Sequence, residues 1–266
     1  MIPKPGSAAT RARRSRSGDP GPRRRLPSAS SPRRSSLART RGRASCRRSH
    51  RAVTPLILPI FPLPDLTFFP HTLLPLHIFE ARYRAMVTDV LPRDKRLALV
   101  GLKPGYEQSY AGKPPVYPVA GVGEIVKWER LANGRYNILL RGDARARIER
   151  EVPTDTLYRV VAARRLDETP PTRDVGPLIE RVRTQCRRLL AALGRPSELL
   201  DEALKEGQAP GAIADQIASA VLPDPVLRQQ LLETLDVETR LQRLVGALDD
   251  LVRQITGRRD PDERAR

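Results

Sequence analysis

Residues 56–83 read LILPIFPLPDLTFFPHTLLPLHIFEARY. This is the densest apolar stretch of the chain, and prolines punctuate it at positions 59, 62, 64, 70 and 75. A proline fixes φ and donates no backbone hydrogen bond, so no helix runs through the segment and no central strand does for long. The stretch must cross a buried region as short extended pieces. Beyond Pro75 the prolines stop, and Phe79, Tyr83, Met86, Val87 and Val90 recur at helical spacing. The spacing predicts a core strand over 56–61, a proline-braced crossing, and an amphipathic helix over 78–91. Leu76→Asp or Phe79→Asp is therefore expected to unfold the half of the molecule built on this stretch. A soluble, normally melting variant would place it on a surface instead.

Working outward, residues 96–102 (RLALVGL) form a short apolar run, read as a buried strand. Residues 103–115 are a loop that opens KPGY and closes GKPP. Residues 121–131 alternate, with Val122, Val126 and Trp128 on one parity, and 135–141 return with Tyr136, Ile138 and Leu140 on one face. Asn133-Gly134 between them tolerates the positive φ of a type I′ turn. Strands over 146–152 and 158–166 bring the total to about six, with one helix inserted early. Gly and Pro at nearly every junction favour a small closed or nearly closed barrel.

The pattern changes after Asp167. ETPPTR at 168–173 reads as a linker. Beyond it Pro177 opens a helix with a stripe of Leu178, Ile179, Val182, Cys186, Leu189, Leu190 and Leu193, and Gly194 closes it. A short helix is predicted over 197–206 and another over 211–222, with Ile213, Ile217 and Val221 on one face. Asp224-Pro225 is an N-cap and first-turn proline for a helix through Leu235. Asp236 caps the last and longest helix, whose stripe runs from Val237 through Leu241, Leu244, Leu248 and Leu251 to Ile255, with Gly257 as its stop. The expected organisation is a tail over 1–52, a strand-rich half over 53–167, the linker, a helical half over 174–257, and a disordered tail over 258–266.

The formal charge of +18 is misleading. Residues 1–52 hold 15 Arg, one Lys and one Asp, a net of +15, so residues 53–266 carry 18 − 15 = +3. A nucleic-acid-binding fold should carry its basic excess on the folded part. Here it sits in an Arg/Ser/Pro/Gly tail too poor in aliphatic residues to fold. That tail fits an organellar transit peptide, a basic arm for nucleic acid or anionic membrane, or upstream codons translated from an early start site. Arg outnumbers Lys 42 to 6, which suggests GC-rich coding DNA and favours the last of these. Cys46 and Cys186 form no disulfide framework and no zinc spacing. A reducing compartment, the cytoplasm, is the default, with an organelle as the alternative should the tail be a transit peptide. No apolar run reaches the roughly 18 residues of a membrane span.

The motifs of common chemistry are absent from the sequence. It contains no G-x-x-x-x-G-K-[ST], no G-x-S-x-G and no H-E-x-x-H. His71 and His77 have no second carboxylate or thiol nearby to complete a metal shell. Cys186 falls on an apolar stripe, as a small buried hydrophobe does. Glu80, Arg82 and Arg84 read as the solvated face of the first helix, tying it to the strands. Tyr106 and Tyr110 lie in the long 103–115 loop, and loops of that length inside compact domains are often functional.

These residues carry a resemblance. LPIFPLPDLTFFPHTLLPLHIFEARYRAMV (58–87) resembles the opening of the Lon amino-terminal domain. VGEIVKWERLANGRYNILLRGDARARI (122–148) resembles that domain's later strands, and IADQIASAVLPDPVLRQQLLETLDVETRLQRLVGAL (213–248) its helical half. The likeness spans about 55–256, with three motifs in the family's order. It implies an α+β chain: a PUA-like six-stranded β-barrel with one inserted helix, followed by an all-α helical bundle ending in a long helix. It also implies a standalone, non-catalytic form without the ATPase and protease regions of full-length Lon.

The expected function is binding of unfolded or apolar polypeptide segments, or service as an adaptor to a separate protease, without cofactor or metal. Nucleic-acid binding is the alternative, because PUA-like barrels elsewhere bind RNA, and the near-neutral folded part argues against it. An enzyme with an unfamiliar site is a third reading. The resemblance supplies no catalytic residue. Phe68, Phe69, His71, Tyr106 and Tyr110 are the candidate polypeptide contacts.

Overall fold

Proline chemistry and strand pairing meet in β1 (Leu56–Leu63). The structure is a computed structural model that describes residues 55–109, 112–196, 204 and 207–263, with side chains through 257 in the last helix. Tyr110, the tail over 1–52 and most of the short helix expected over 197–206 lie outside the described residues. β1 pairs antiparallel with β6 (Val160–Leu166) over Leu56–Pro59, then parallel with β3 (Arg96–Gly101) over Ile60–Leu63. No residue of β1 is in register with both neighbours at once. A missing donor at Pro59 or Pro62 therefore interrupts no doubly paired ladder.

Residues 73–78 depart from the expectation drawn from their proline. They form a strand, β2 (Leu73–Ile78), where a crossing and the start of a helix were expected. β2 pairs only with β5 (Tyr136–Val152), so it is an edge, where a strand proline is tolerated. Gly142 N–H donates to Thr72 O at 2.9 Å, and antiparallel hydrogen bonding alternates along the strand. Residues 74, 76 and 78 thus direct their backbone groups at β5, and Pro75 turns its nitrogen to the open edge. The first helix, α1, begins at Ala81 and ends at Val90. Tyr83, Met86, Val87 and Val90 are buried, but Phe79 precedes the helix and is 60% exposed. The expectation that Phe79→Asp unfolds this half is corrected accordingly.

The hairpin joins β4 (Val119–Arg130) to β5. Its turn is not type I′, because Gly134 (φ 75°) has positive φ and Asn133 does not. Gly134 N–H reaches Leu131 O, and the Asn133 carboxamide accepts from Arg135 N–H. β5 is one long strand where two were expected: it runs past Gly142 without a break, with β2 beside its first part and β6 beside its last.

The six strands form one sheet in the order β2-β5-β4-β3-β1-β6, and β6 pairs again with β5. The pairing from β5 through β4, β3, β1 and β6 therefore returns to β5, with β2 outside that ring. Leu58, Ile60, Ala98, Val100, Ala120, Val122, Ala144, Ala146, Val161 and Ala163 cluster together, drawn from all five ring strands. Half of them are alanine, the size that a narrow interior accepts. Phe61, Leu97, Leu99, Ile125, Ile138 and Leu140 point the other way and pack with α1.

The crossing at 66–72 fastens two cores. Phe68 packs with the α1 cluster, and its neighbour Phe69 packs with the helical half. Both are buried, at 2% and 0% exposure. The strands beneath must make room: a Cβ on Gly121 would lie 1.9 Å from Phe68 O, and one on Gly142 would lie 2.1 Å from Phe69 O.

Helices α2 (Gly176–Ala192), α3 (Pro210–Val221), α4 (Pro225–Glu233) and α5 (Val237–Glu263) bury one core with Phe69, Val119 and Leu166 of the strand-rich half. Their ends follow local chemistry. Gly194 (φ 63°) ends α2, and Arg195 N–H reaches back to Leu190 O at 2.8 Å. The Asp224 carboxylate accepts from Val226 N–H, and Asp236 accepts from Thr239 N–H at 2.7 Å. Those hydrogen bonds hold the Asp236 carboxyl below its ordinary range. The last helix continues past Gly257 to Glu263, beyond the expected stop.

Residues 168–173 are no loose linker. Thr169 N–H donates to Leu235 O, and Val237 N–H donates to Thr169 O. Beside it sits a quartet of charges, three of them buried and the fourth, Glu168, partly exposed. Arg145 of β5 donates to Glu168 (2.6 Å), to Asp215 of α3 (2.5 Å) and to Leu232 O of α4 (2.9 Å). Arg240 of α5 pairs with Glu168 (2.7 Å) and Asp215 (3.1 Å). Arg145, Asp215 and Arg240 are all within 1% of full burial. Burial pushes the Asp215 carboxyl up and the Arg145 guanidinium down, and the opposite charges in the quartet pull each back.

Candidate functional site

The loop after β3 is marked by its sequence, and a cleft opens on either side of it. Leu102, just past β3, bridges to Val116, and Lys103 N–H donates to Pro115 O, so the loop is pinched at its base. Tyr106 lies in a single 3₁₀ turn, Tyr106–Ser109. Leu102 lines both clefts, which places them back to back across the base of the loop.

The first cleft has a volume of about 300 Å³. Buried Pro62, Tyr83 and Leu102 form its apolar floor. Its far wall is the turn between β5 and β6, residues 153–159, which carries Leu157 at 69% exposure. Hydrogen bonds fix that wall from several sides. Thr154 and Thr156 share a hydroxyl bond of 2.7 Å, and Thr156 donates to Tyr158 O. The Tyr158 hydroxyl donates to Asp89 of α1 at 2.8 Å. Burial, with that carboxylate behind it, pushes the Tyr158 phenol up to about 12. Arg159 pairs with Glu151 and donates to Pro114 O at 2.9 Å, which stitches the wall to the loop. Lys113 approaches Glu151 at 3.5 Å. Partial burial raises the Glu151 carboxyl, but Arg159 and Lys113 outweigh it and leave it below the ordinary range. Arg82, paired with Glu80, completes the rim. The result is a slot with an apolar floor, an exposed leucine at its lip and a net basic margin.

The second cleft, about 250 Å³, lies between the loop and α4. Tyr106 and Tyr117 line it together with Leu66, Pro104, Pro225 and half-exposed Val226. Asp65, Glu107 and Gln229 are its charged and amide groups.

Of the described residues expected to contact a polypeptide, only Tyr106 lines either cleft. Phe68 and Phe69 were expected on the surface and are core residues, because the crossing needs both rings to anchor it. His71 is exposed but serves a turn: its φ is 62°, its N–H donates to Gly142 O, and its carbonyl accepts from Gln216 of α3. His77 hydrogen-bonds Asn137 at 2.8 Å. Cys186 is 1% exposed, and burial pushes its thiol up to about 12. Among the described residues no group of three His, Cys, Asp or Glu is placed to hold a metal ion. No helix among them is long and apolar enough to cross a membrane. Sequence reasoning missed the wall at 153–159. The available signal was Leu157, an apolar residue in a turn of Pro, Thr and Asp.

Comparison with known proteins gives a consistent answer. The model of the ATP-dependent protease La (LON) substrate-binding domain matches residues 57–250. A Lon protease of Desulfosudis oleivorans is 26% identical over 196 residues, which are 73% of this chain and 24% of the relative. Lon protease 2 of Bdellovibrio bacteriovorus is 30% identical over 192 residues, 71% of this chain and 24% of that one. The chain thus spans about a quarter of the length of these curated relatives. Among solved structures, the N-terminal domain of the Mycobacterium avium complex Lon protease superposes with a TM-score of 0.59 at 19% identity, over 73% of this chain and 99% of that one. A Lon N-terminal domain protein from Xanthomonas campestris gives a TM-score of 0.52 at 20% identity, over 72% and 98%. The chain belongs to the LON substrate-binding domain family.

Proposed function

We propose that the chain is a non-catalytic polypeptide-binding module that captures exposed apolar segments of unfolded proteins at the first cleft, for itself or as adaptor to a separate protease. The observation that carries this reading is the pairing of an apolar floor (Pro62, Tyr83, Leu102) with a 69%-exposed leucine at its lip. A lone exposed leucine is ordinary, whereas one beside an open apolar slot offers a side chain somewhere to bind. Family membership supports substrate binding as the general role. The closed run of strand pairings supports a finer description of the strand-rich half as PUA-like. The test is retention of an unfolded model protein on the immobilised chain. Retention that Leu157→Asp abolishes at unchanged melting temperature is expected. Retention no better than on an unrelated domain would defeat the reading.

A second reading, nucleic-acid binding, has one observation in its favour. Exposed Arg147 and Arg164 are direct cross-strand partners, a like-charge juxtaposition that Glu149, 3.7 Å from Arg164, offsets on one side and that an anion at Arg147 would relieve further. Salt-sensitive RNA binding by a chain starting at Val53, lost in Arg147→Gln, would establish it.

A further inference from the structure

We propose that the first cleft takes the carboxyl-terminal end of a polypeptide, with an apolar last residue on its floor and the terminal carboxylate at its basic margin. The assignment rests on the capture reading above and specifies its substrate class. At about 300 Å³ the cleft lies at the lower end of the range for ligand pockets. It has room for a side chain or two and not for a long apolar run. An internal apolar segment would bring the floor a side chain and leave the margin without a partner. A chain end with an apolar last residue brings the side chain and a carboxylate together.

The charges around the floor do not cancel. Arg82 of α1, Lys113 of the loop and Arg159 at the end of the β5–β6 turn reach the cleft from three separate elements. Glu151 is the one carboxylate of the lining, and Glu80 pairs with Arg82 from behind. Three cations against two carboxylates leave a net of +1. The excess is located at Glu151, which two cations share. One of its oxygens accepts from Nε (3.1 Å) and Nη2 of Arg159, and the other lies 3.5 Å from Lys113 Nζ. Arg159 also donates from Nη1 to Pro114 O. A guanidinium has five N–H donors, so two of Arg159 remain beyond these three bonds among the described residues. Lys113 sits on a flexible stem with its side chain 76% exposed, and its ammonium carries three donors. A second carboxylate set between Arg159 and Lys113 gives each cation its own counter-charge, and donors are left to bind it.

The experiment measures three short peptides on the full chain by fluorescence anisotropy, each labelled at its amino terminus and ending in leucine. One ends in the free acid, one in the amide, and one in the amide with an aspartate before the last leucine. The free acid is expected to bind about tenfold more tightly than the amide, the scale of one charge-assisted hydrogen-bond set. The aspartate peptide should recover little of that gain, because its carboxylate hangs from the neighbouring residue. Lys113→Gln leaves two cations against two carboxylates and should bring the affinities for acid and amide together. The Arg-rich tail over 1–52 is common to both proteins, so a preference owed to the tail would survive that substitution. Equal affinity for acid and amide while unfolded protein is still retained, a preference that survives Lys113→Gln, or full recovery by the aspartate peptide would overturn the assignment. Failure of the capture reading appears separately, as loss of retention by the unsubstituted chain.

Discussion

Arg145, Glu168, Asp215 and Arg240 come from a strand, a connection and two helices, and they meet where the strand-rich and helical halves join. A largely buried charge quartet adds little net stability over an apolar plug, but removing Asp215 leaves two buried guanidiniums sharing the single, partly exposed carboxylate of Glu168. Asp215→Ala should therefore cost about 3–5 kcal/mol, read as a lower urea midpoint. Replacing Arg145, Asp215 and Arg240 together with apolar residues should recover much of that loss. A single substitution costing no more than an exposed ion pair would mean that the quartet is hydrated. Tyr158 makes a second prediction at this scale. Its folded pKa of about 12 lies above the ordinary 10, so the folded state holds the proton more firmly. The resulting stabilisation is complete below pH 10 and is lost as pH rises from 10 toward 12. The gap in melting temperature between the native chain and Tyr158→Phe should be flat below pH 10 and close above it. None of this was legible in the sequence. The charges of the quartet are 23, 70 and 72 positions apart in their hydrogen-bonded pairs, and a lone Arg or Asp reads by default as a solvated face.

Among elements, β2 is the one whose physics was read correctly and whose place was read wrongly. Proline does disfavour a residue paired on both sides, but an edge strand requires no donor on its open side, and nothing local distinguishes the two. The same misplacement put Phe79 in the core. At 60% exposure, Phe79→Asp should stay folded and shift stability by no more than about 0.5 kcal/mol, whereas Phe69→Asp, at 0% exposure, should not fold. Thermal melts of the two variants side by side decide this, and a cooperative melt for Phe69→Asp would refute the clamping role of the crossing. Helix boundaries were legible where a cap fixed them, as at Asp224, Asp236 and Gly194. The glycines at 121 and 142 were visible as letters, but the chain that crosses above them was not. Gly142→Ala, with a Cβ 2.1 Å from Phe69 O, should cost at least about 1–3 kcal/mol, as overpacking does.

Over the whole molecule, the three motifs were enough to indicate the family, because a proline-braced apolar run, a hairpin and a capped helix pair are local patterns that survive in one dimension. The candidate clefts were only half legible. The loop over 103–115 declared itself by length and composition, while its opposing walls come from residues distant in the sequence and from turns with no motif. The boundary drawn at 168–173 shows the same limit: its Pro-Pro composition is that of a linker, yet Thr169 and Glu168 bind the two halves together. Those ties, with Phe68 in one core and Phe69 in the other, leave neither half able to open without disturbing its partner. Unfolding in urea should accordingly be one transition. Trp128, the single tryptophan, reports on the strand-rich half, and helical circular dichroism reports mainly on the other. The two signals should share one midpoint in the native chain and separate in Asp215→Ala, where the junction is weakened. Separate midpoints in the native chain would show that the halves are independent domains and that the junction does not couple them.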